Sequence, residues 1–82
     1  MDKIRNLDEL KKLADGESVE CFISLGAFGG MSSKIIWYDS KDDEWEIYNM
    51  IDDSEENFKS TNDMLDQTHI ALALKRGALY LG

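Results

Sequence analysis

Apolar and polar positions alternate with period two from Ser18 to Leu25, where Val19, Cys21, Ile23 and Leu25 interleave with Ser18, Glu20, Phe22 and Ser24. That spacing predicts a β-strand with one face turned inward. A second β-prone region runs from Met31 to Asp52, where two runs rich in Ile, Trp and Tyr flank Asp39-Ser40-Lys41-Asp42-Asp43. β-Branched and aromatic residues suit a pleated, half-buried surface and the polar pentapeptide suits a chain reversal, so the stretch predicts an antiparallel hairpin. Gly26-Ala27-Phe28-Gly29-Gly30 joins it to the first strand as a loop, with Phe28 either tucked back under the sheet or offered to a partner.

The period changes to helical at both ends of the chain. Asn6 stands where an N-cap belongs and Glu9 three residues later completes a capping-box pattern, predicting a helix from about Leu7 to Asp15. Leu7, Leu10 and Ala14 form its apolar stripe, Leu13 flanks it, and Gly16 can take the left-handed conformation that ends it. Asp52 to Asn57 reads as a charged loop. Thr61 then caps a short helix carrying Met64 and Leu65 inward, and Thr68 caps another over His69 to Arg76 with the stripe Ile70, Ala73, Leu74. Ala78 to Leu81 can return as a short final strand. The expected fold is α+β in one domain spanning 1–82: a helix, a three-stranded antiparallel meander, two short helices and that last strand.

Alternation also divides the strands into faces. With Val19, Cys21, Ile23, Ile35, Trp37, Trp45, Ile47 and Ile51 on the core side, Phe22, Ile36, Tyr38, Tyr48 and Met50 gather on the back, rimmed by Glu20, Lys34, Glu44 and Glu46. Five large side chains on a solvated face need either a covering segment or a partner.

Composition changes this picture in two respects. Eighty-two residues with 43% hydrophobic and 32% charged side chains make one small globular unit, able to bury roughly 60% of the surface of its unfolded chain. The net charge of −8 is concentrated, with eleven acids against Lys41 and Lys59 between Asp39 and Asp66. Such a field repels nucleic acid and lipid phosphates and attracts basic protein surfaces; solubility alone is the plainer account of it. The single Cys21, the lack of an apolar signal segment in MDKIRNLDEL and the lack of an 18-residue apolar run predict a soluble chain in a reducing cytoplasm, without membrane contact.

Candidate chemistry is sparse. In GAFGGMSSK the lysine follows two serines and leads into a strand, whereas a phosphate-binding loop places Lys-Ser/Thr at a helix start. The acids around Asp39 to Asp43 and Asp52 to Glu56 lack the alternating ligands, central Gly and closing Glu of a calcium loop. One Cys and one His do not assemble a nucleophile and base, so neither enzyme activity, a metal nor a cofactor is expected, and His69 reads as a surface or capping residue.

The segments SSKIIWYD, WEIYNMIDDS, TNDMLDQT and IALALKRGALY resemble a family of small uncharacterised proteins encoded by bacterial phages and mobile elements. That family carries an S-S-K-x-I-x-Y-D strand, an x-I-x-N-x-I-D strand and a T-N-I-x-x-A-I-x-x-G-A-L ending; here Thr68-His69-Ile70 stands at the Thr-Asn-Ile position. The resemblance covers about residues 20–80 and implies an α+β fold and a phage or mobile-element context, without an activity. The expected function is therefore a non-catalytic protein-binding module, using Phe22, Ile36, Tyr38, Tyr48 and Met50 as the contact patch and Asp42, Asp43, Glu44 and Glu46 as its acidic rim. Its partner would be a protein with a basic surface, with no direct nucleic acid; a second copy of the chain meeting it through the back face is a further option. A narrower alternative is an acidic inhibitor of a nucleic-acid-binding host defence protein, of the anti-CRISPR or anti-restriction type.

Overall fold

The computed structural model describes residues 2–26 and 30–82. Its elements follow the order α1 (Leu7–Ala14), β1 (Val19–Gly26), β2 (Gly30–Asp39), β3 (Glu44–Asn49), β4 (Ser54–Phe58), α2 (Thr61–Gln67), α3 (Ile70–Arg76) and β5 (Leu79–Leu81). The strands form one antiparallel sheet in the order β4-β3-β2-β1-β5. The α+β class, the three helices and the final strand agree with the sequence pattern, and Phe28 lies outside the described residues.

α1 begins as its capping signal requires, with Asn6 Oδ1 accepting the Glu9 N–H at 2.9 Å. It ends at Gly16, whose φ of +68° is cheap only for glycine. The Gly16 N–H then donates to the Tyr38 carbonyl at 2.8 Å, and Asp15 Oδ1 accepts the Ser40 N–H at 3.1 Å, fixing the helix to the end of β2. Lys11 Nζ lies 5.3 Å from the centre of the Tyr38 ring, so the helix covers that side chain with a cation–π contact.

All three helices lie on one face of the sheet. Leu10 and Ala14 of α1, Met64 of α2 and Ile70 and Ala73 of α3 share one buried cluster with Cys21, Ile23, Leu25, Ile36, Tyr38, Trp45, Ile47, Phe58 and Leu79 from the strands. Those strand residues are alternate positions, the inward half of each pleat.

Several expectations need correction. Asp52 to Asn57 is not a loop, because Ser54–Phe58 pairs with β3 as an edge strand. Its sequence, SEENF, has little β-propensity of its own, and its place follows from a tight reversal over residues 50–53. There Asp52 Oδ1 accepts both the Ser54 N–H, at 3.1 Å, and its hydroxyl, at 2.7 Å, while Asp53 turns the chain at φ +60°. Charged residues on an edge strand are tolerated because only one of its five side chains, Phe58, must be buried.

The second correction concerns β2, whose faces are reversed. The β2–β3 reversal holds four residues, 40–43, so Asp39 pairs with Glu44, Tyr38 with Trp45 and Ile36 with Ile47. Paired residues share a face, so Ile36 and Tyr38 enter the core with Trp45 and Ile47, while Ile35 and Trp37 face away. A one-residue difference in turn length inverts every side chain of a strand. Ile51, expected in the core, is 71% exposed in the β3–β4 reversal, as is Met50 at 43%. Thr61 is likewise not the cap of α2: Ser60 is, with its Oγ accepting the Asp63 N–H at 3.1 Å. Thr68 does serve the start of α3, accepting the Ile70 N–H at 3.2 Å.

Candidate protein-docking face

The face of the sheet turned away from the helices can be built row by row from the strand register. One row holds Tyr80 and Phe22, the next Glu20, Ile35, Tyr48 and Glu55, and the third Trp37, Glu46 and Asn57; Asp39 and Glu44 close the far end. Directly opposed residues in such rows stand about 5 Å apart. Phe22, Ile35, Trp37, Tyr48 and Tyr80 are all half-buried, which is what neighbouring large side chains lying against each other on an uncovered sheet produce. Among the described residues, every charged one at a strand position of this face is an acid: Glu20, Asp39, Glu44, Glu46 and Glu55. Lys3 bridges Tyr80 at the margin, beside β5, and its Nζ reaches toward Gly77.

The expected patch is thus relocated rather than lost. Phe22 and Tyr48 are on the face, as are Glu44 and Glu46 of the rim. Ile36 and Tyr38 lie in the core on the opposite side, Met50 sits in a turn, and Lys34 belongs to the helix-side face. Asp42 is exposed in the β2–β3 reversal. Ile35, Trp37, Tyr80 and Glu55 join the face without having been expected there. The signal that finds the first two is the parity of the turn: with four residues between paired ends, even positions of β2 accompany odd positions of β3.

Asp43 has a different role from the rim residue expected. At φ +56° it directs its carboxylate back into the molecule, where Oδ1 accepts the Tyr38 hydroxyl at 2.9 Å and the Thr61 hydroxyl in a short bond, and Oδ2 accepts the Thr61 N–H at 3.0 Å. The Thr61 oxygen in turn accepts the indole N–H of the buried Trp45 at 3.0 Å. Hydrogen bonds from Thr61, then from Tyr38, hold the Asp43 carboxyl below the usual carboxylate range, while burial and then the Asp43 contact push the Tyr38 phenol up. This network fastens the β2–β3 reversal to the start of α2.

A cleft of about 400 Å³ opens on the helix side, lined by residues that include Ser32, Lys34, Asn49, Glu56, Thr68 and His69. Its polar groups largely satisfy one another. Asn49 accepts from Lys34 Nζ and donates to Ser54 Oγ at 3.0 Å and to Glu56 Oε1 at 3.2 Å; the Thr68 hydroxyl donates to the Met64 carbonyl at 2.7 Å. The result is a polar clamp across β2, β3 and β4, and it uses Lys34 and Asn49, two of the residues that carry the sequence resemblance.

The one cysteine and the one histidine of the chain sit in different surroundings. Cys21 is buried, and desolvation, with the Glu20 charge adding, pushes its thiol up to about 12, far from the thiolate a nucleophile needs. His69 is exposed between α2 and α3. Among the described residues no three of His, Cys, Asp and Glu gather as a metal-ligand set, and no helix is long and apolar enough to cross a membrane. Comparison with protein-family models, curated proteins and solved structures finds no match to the chain.

Proposed function

We propose that this chain is a non-catalytic binding module whose open sheet face docks a protein with a basic surface. One observation carries the reading: among the described residues, the aromatic and aliphatic set Phe22, Ile35, Trp37, Tyr48 and Tyr80 lies uncovered on a face whose charged strand positions are all acidic. Aromatic side chains supply the contact area that holds a complex, and charges of one sign steer a complementary partner toward it. The same acids oppose pairing of two copies through this face, because like charges would be brought together. A basic partner includes the nucleic-acid-binding groove of a host defence protein, the narrower reading, which the concentration of acids between Asp39 and Asp66 favours.

The test is affinity capture at several salt concentrations, with wild type, a Trp37→Ala/Tyr48→Ala variant and a control variant in the β3–β4 turn, Ile51→Ser. A basic protein retained by wild type and Ile51→Ser, released by salt, and lost by the double variant while that variant stays folded at the capture temperature supports the reading. Equal retention by all three, or a wild-type chain that sediments as a dimer through this face, sinks it. In a purified pair, Tyr48→Ala should raise the off-rate at a cost of about 1 to 3 kcal/mol, whereas Glu46→Gln should mainly slow association and flatten its salt dependence.

A further inference from the structure

Within the open face the register places two aromatics and two carboxylates around one point. Tyr48 stands between Ile35 on β2 and Glu55 on β4, and in the adjoining row Glu46 stands between Trp37 and Asn57. Tyr48 and Trp37 are therefore diagonal neighbours, and so are Glu46 and Glu55. Ser18, Ile35, Trp37, Glu46, Tyr48 and Glu55 line a depression of about 190 Å³. That is below the roughly 300 Å³ at which small-molecule pockets begin, and is suited to a single side chain.

We propose that this depression receives one arginine side chain of the docked protein, with its guanidinium against the Trp37 and Tyr48 rings and donating to the carboxylates of Glu46 and Glu55. The proposal rests on the reading of the face as a docking surface for a basic protein and names the group it recognises. A ring face attracts a cation, and an indole and a phenol side by side favour a planar one that can stack on them. The guanidinium is planar, weakly hydrated and stays charged, and its fork of five N–H donors can serve two carboxylates at once while it stacks. A lysine ammonium is a compact, strongly hydrated charge, and it would leave the ring faces poorly covered. Among the described residues, Glu46 and Glu55 have no basic strand residue beside them on this face, so an arriving guanidinium displaces no internal ion pair with a strand residue.

The two tryptophans make the test internal to the molecule. Trp37 lines the depression, whereas Trp45 is buried on the opposite face with its indole N–H donated to Thr61. Short peptides with one central arginine, lysine or citrulline and no other charge are titrated into the ¹⁵N-labelled full chain while both indole N–H resonances are followed. The expected result is a saturable shift of the Trp37 resonance by the arginine peptide, with a dissociation constant on the order of millimolar. Trp45 should stay fixed, citrulline should have no effect and lysine a weaker one. Glu46→Gln/Glu55→Gln should weaken the arginine response about tenfold, and Trp37→Phe should retain binding as read from Tyr48. Equal shifts by lysine and arginine, a citrulline response matching arginine, or no Trp37 shift with any peptide overturns the arginine assignment. The docking reading itself is decided separately by the capture experiment, which uses whole proteins and no arginine probe.

Discussion

Replacing Thr61 with Val tests the contact by which the sheet and the C-terminal helices are held in register. The two side chains have nearly the same shape, so the change removes a hydroxyl without opening a cavity. Trp45 is 0% exposed and donates its indole N–H to that hydroxyl at 3.0 Å, so in the variant the donor has neither a protein acceptor nor water. A buried unsatisfied donor costs about 1 to 3 kcal/mol. Loss of the Thr61 hydroxyl bond to Asp43 adds about 1 kcal/mol, at the low end for a charged partner because that carboxylate is partly exposed and can take up water. The sum is about 2 to 4 kcal/mol, and at about 4 to 8 °C per kcal/mol for a chain of this size the melting temperature should fall by about 8 to 32 °C. Thermal melting followed by far-UV circular dichroism reads this directly. On a Trp45→Phe background, which lacks the N–H, the same Thr61→Val change should cost about 1 kcal/mol, a coupling of about 1 to 3 kcal/mol between the two sites. A single-variant cost below about 0.5 kcal/mol, or the same cost on both backgrounds, would refute the assignment.

The acid side of the same network has a sign that can be checked. Because the folded state holds the Asp43 carboxyl below its ordinary value, its contribution is fully present above the unfolded value of about 3.9. It is lost as pH falls through the lower folded value. Thr61→Val removes one of the bonds responsible, so the stability deficit of the variant should be largest at neutral pH and shrink below about pH 4, leaving mainly the Trp45 term.

Two further outcomes follow from the sheet. Tyr38→Ala should cost about 3 to 5 kcal/mol, as a core aromatic, and its neighbour Trp37→Ala only about 1 kcal/mol or less, as a cross-strand residue on the open face; denaturant melts showing the reverse order would restore the face assignment expected from the sequence. The Cys21 thiol, buried and pushed up to about 12, should react with a thiol reagent at neutral pH only at the rate of unfolding, and labelling of the native chain within seconds would contradict its burial.

Elements whose signals are local are legible in the amino-acid sequence alone. Asn6 with Glu9, Gly16 at positive φ, and Gly77 at φ +65° closing α3 after Lys75 and Arg76 are decided within a few residues, because caps and turns are satisfied by neighbours in the chain. The alternation in β1, the β-prone character of β2 and β3 and the surplus of acids are equally local facts, as is the conclusion that neither sheet face is purely polar. What the chain alone left open was relational. Whether Trp37 or Tyr38 enters the core depends on how many residues the β2–β3 reversal holds, since strand periodicity is two and either phase fits a run as apolar as Ile35-Ile36-Trp37-Tyr38. β4 exists because β3 offers it a pairing edge, against the preference of Ser54-Glu55-Glu56-Asn57 taken alone. Asp43 is drawn out of the acidic rim by Tyr38 and Thr61, five and eighteen residues away, and no local pattern announces a carboxylate that will be met by both. The open sheet face followed the same rule: a second face with large side chains was written in composition and period, while its membership, Trp37 and Tyr80 in and Tyr38 out, was decided by strand pairing and by the packing of all three helices on one side.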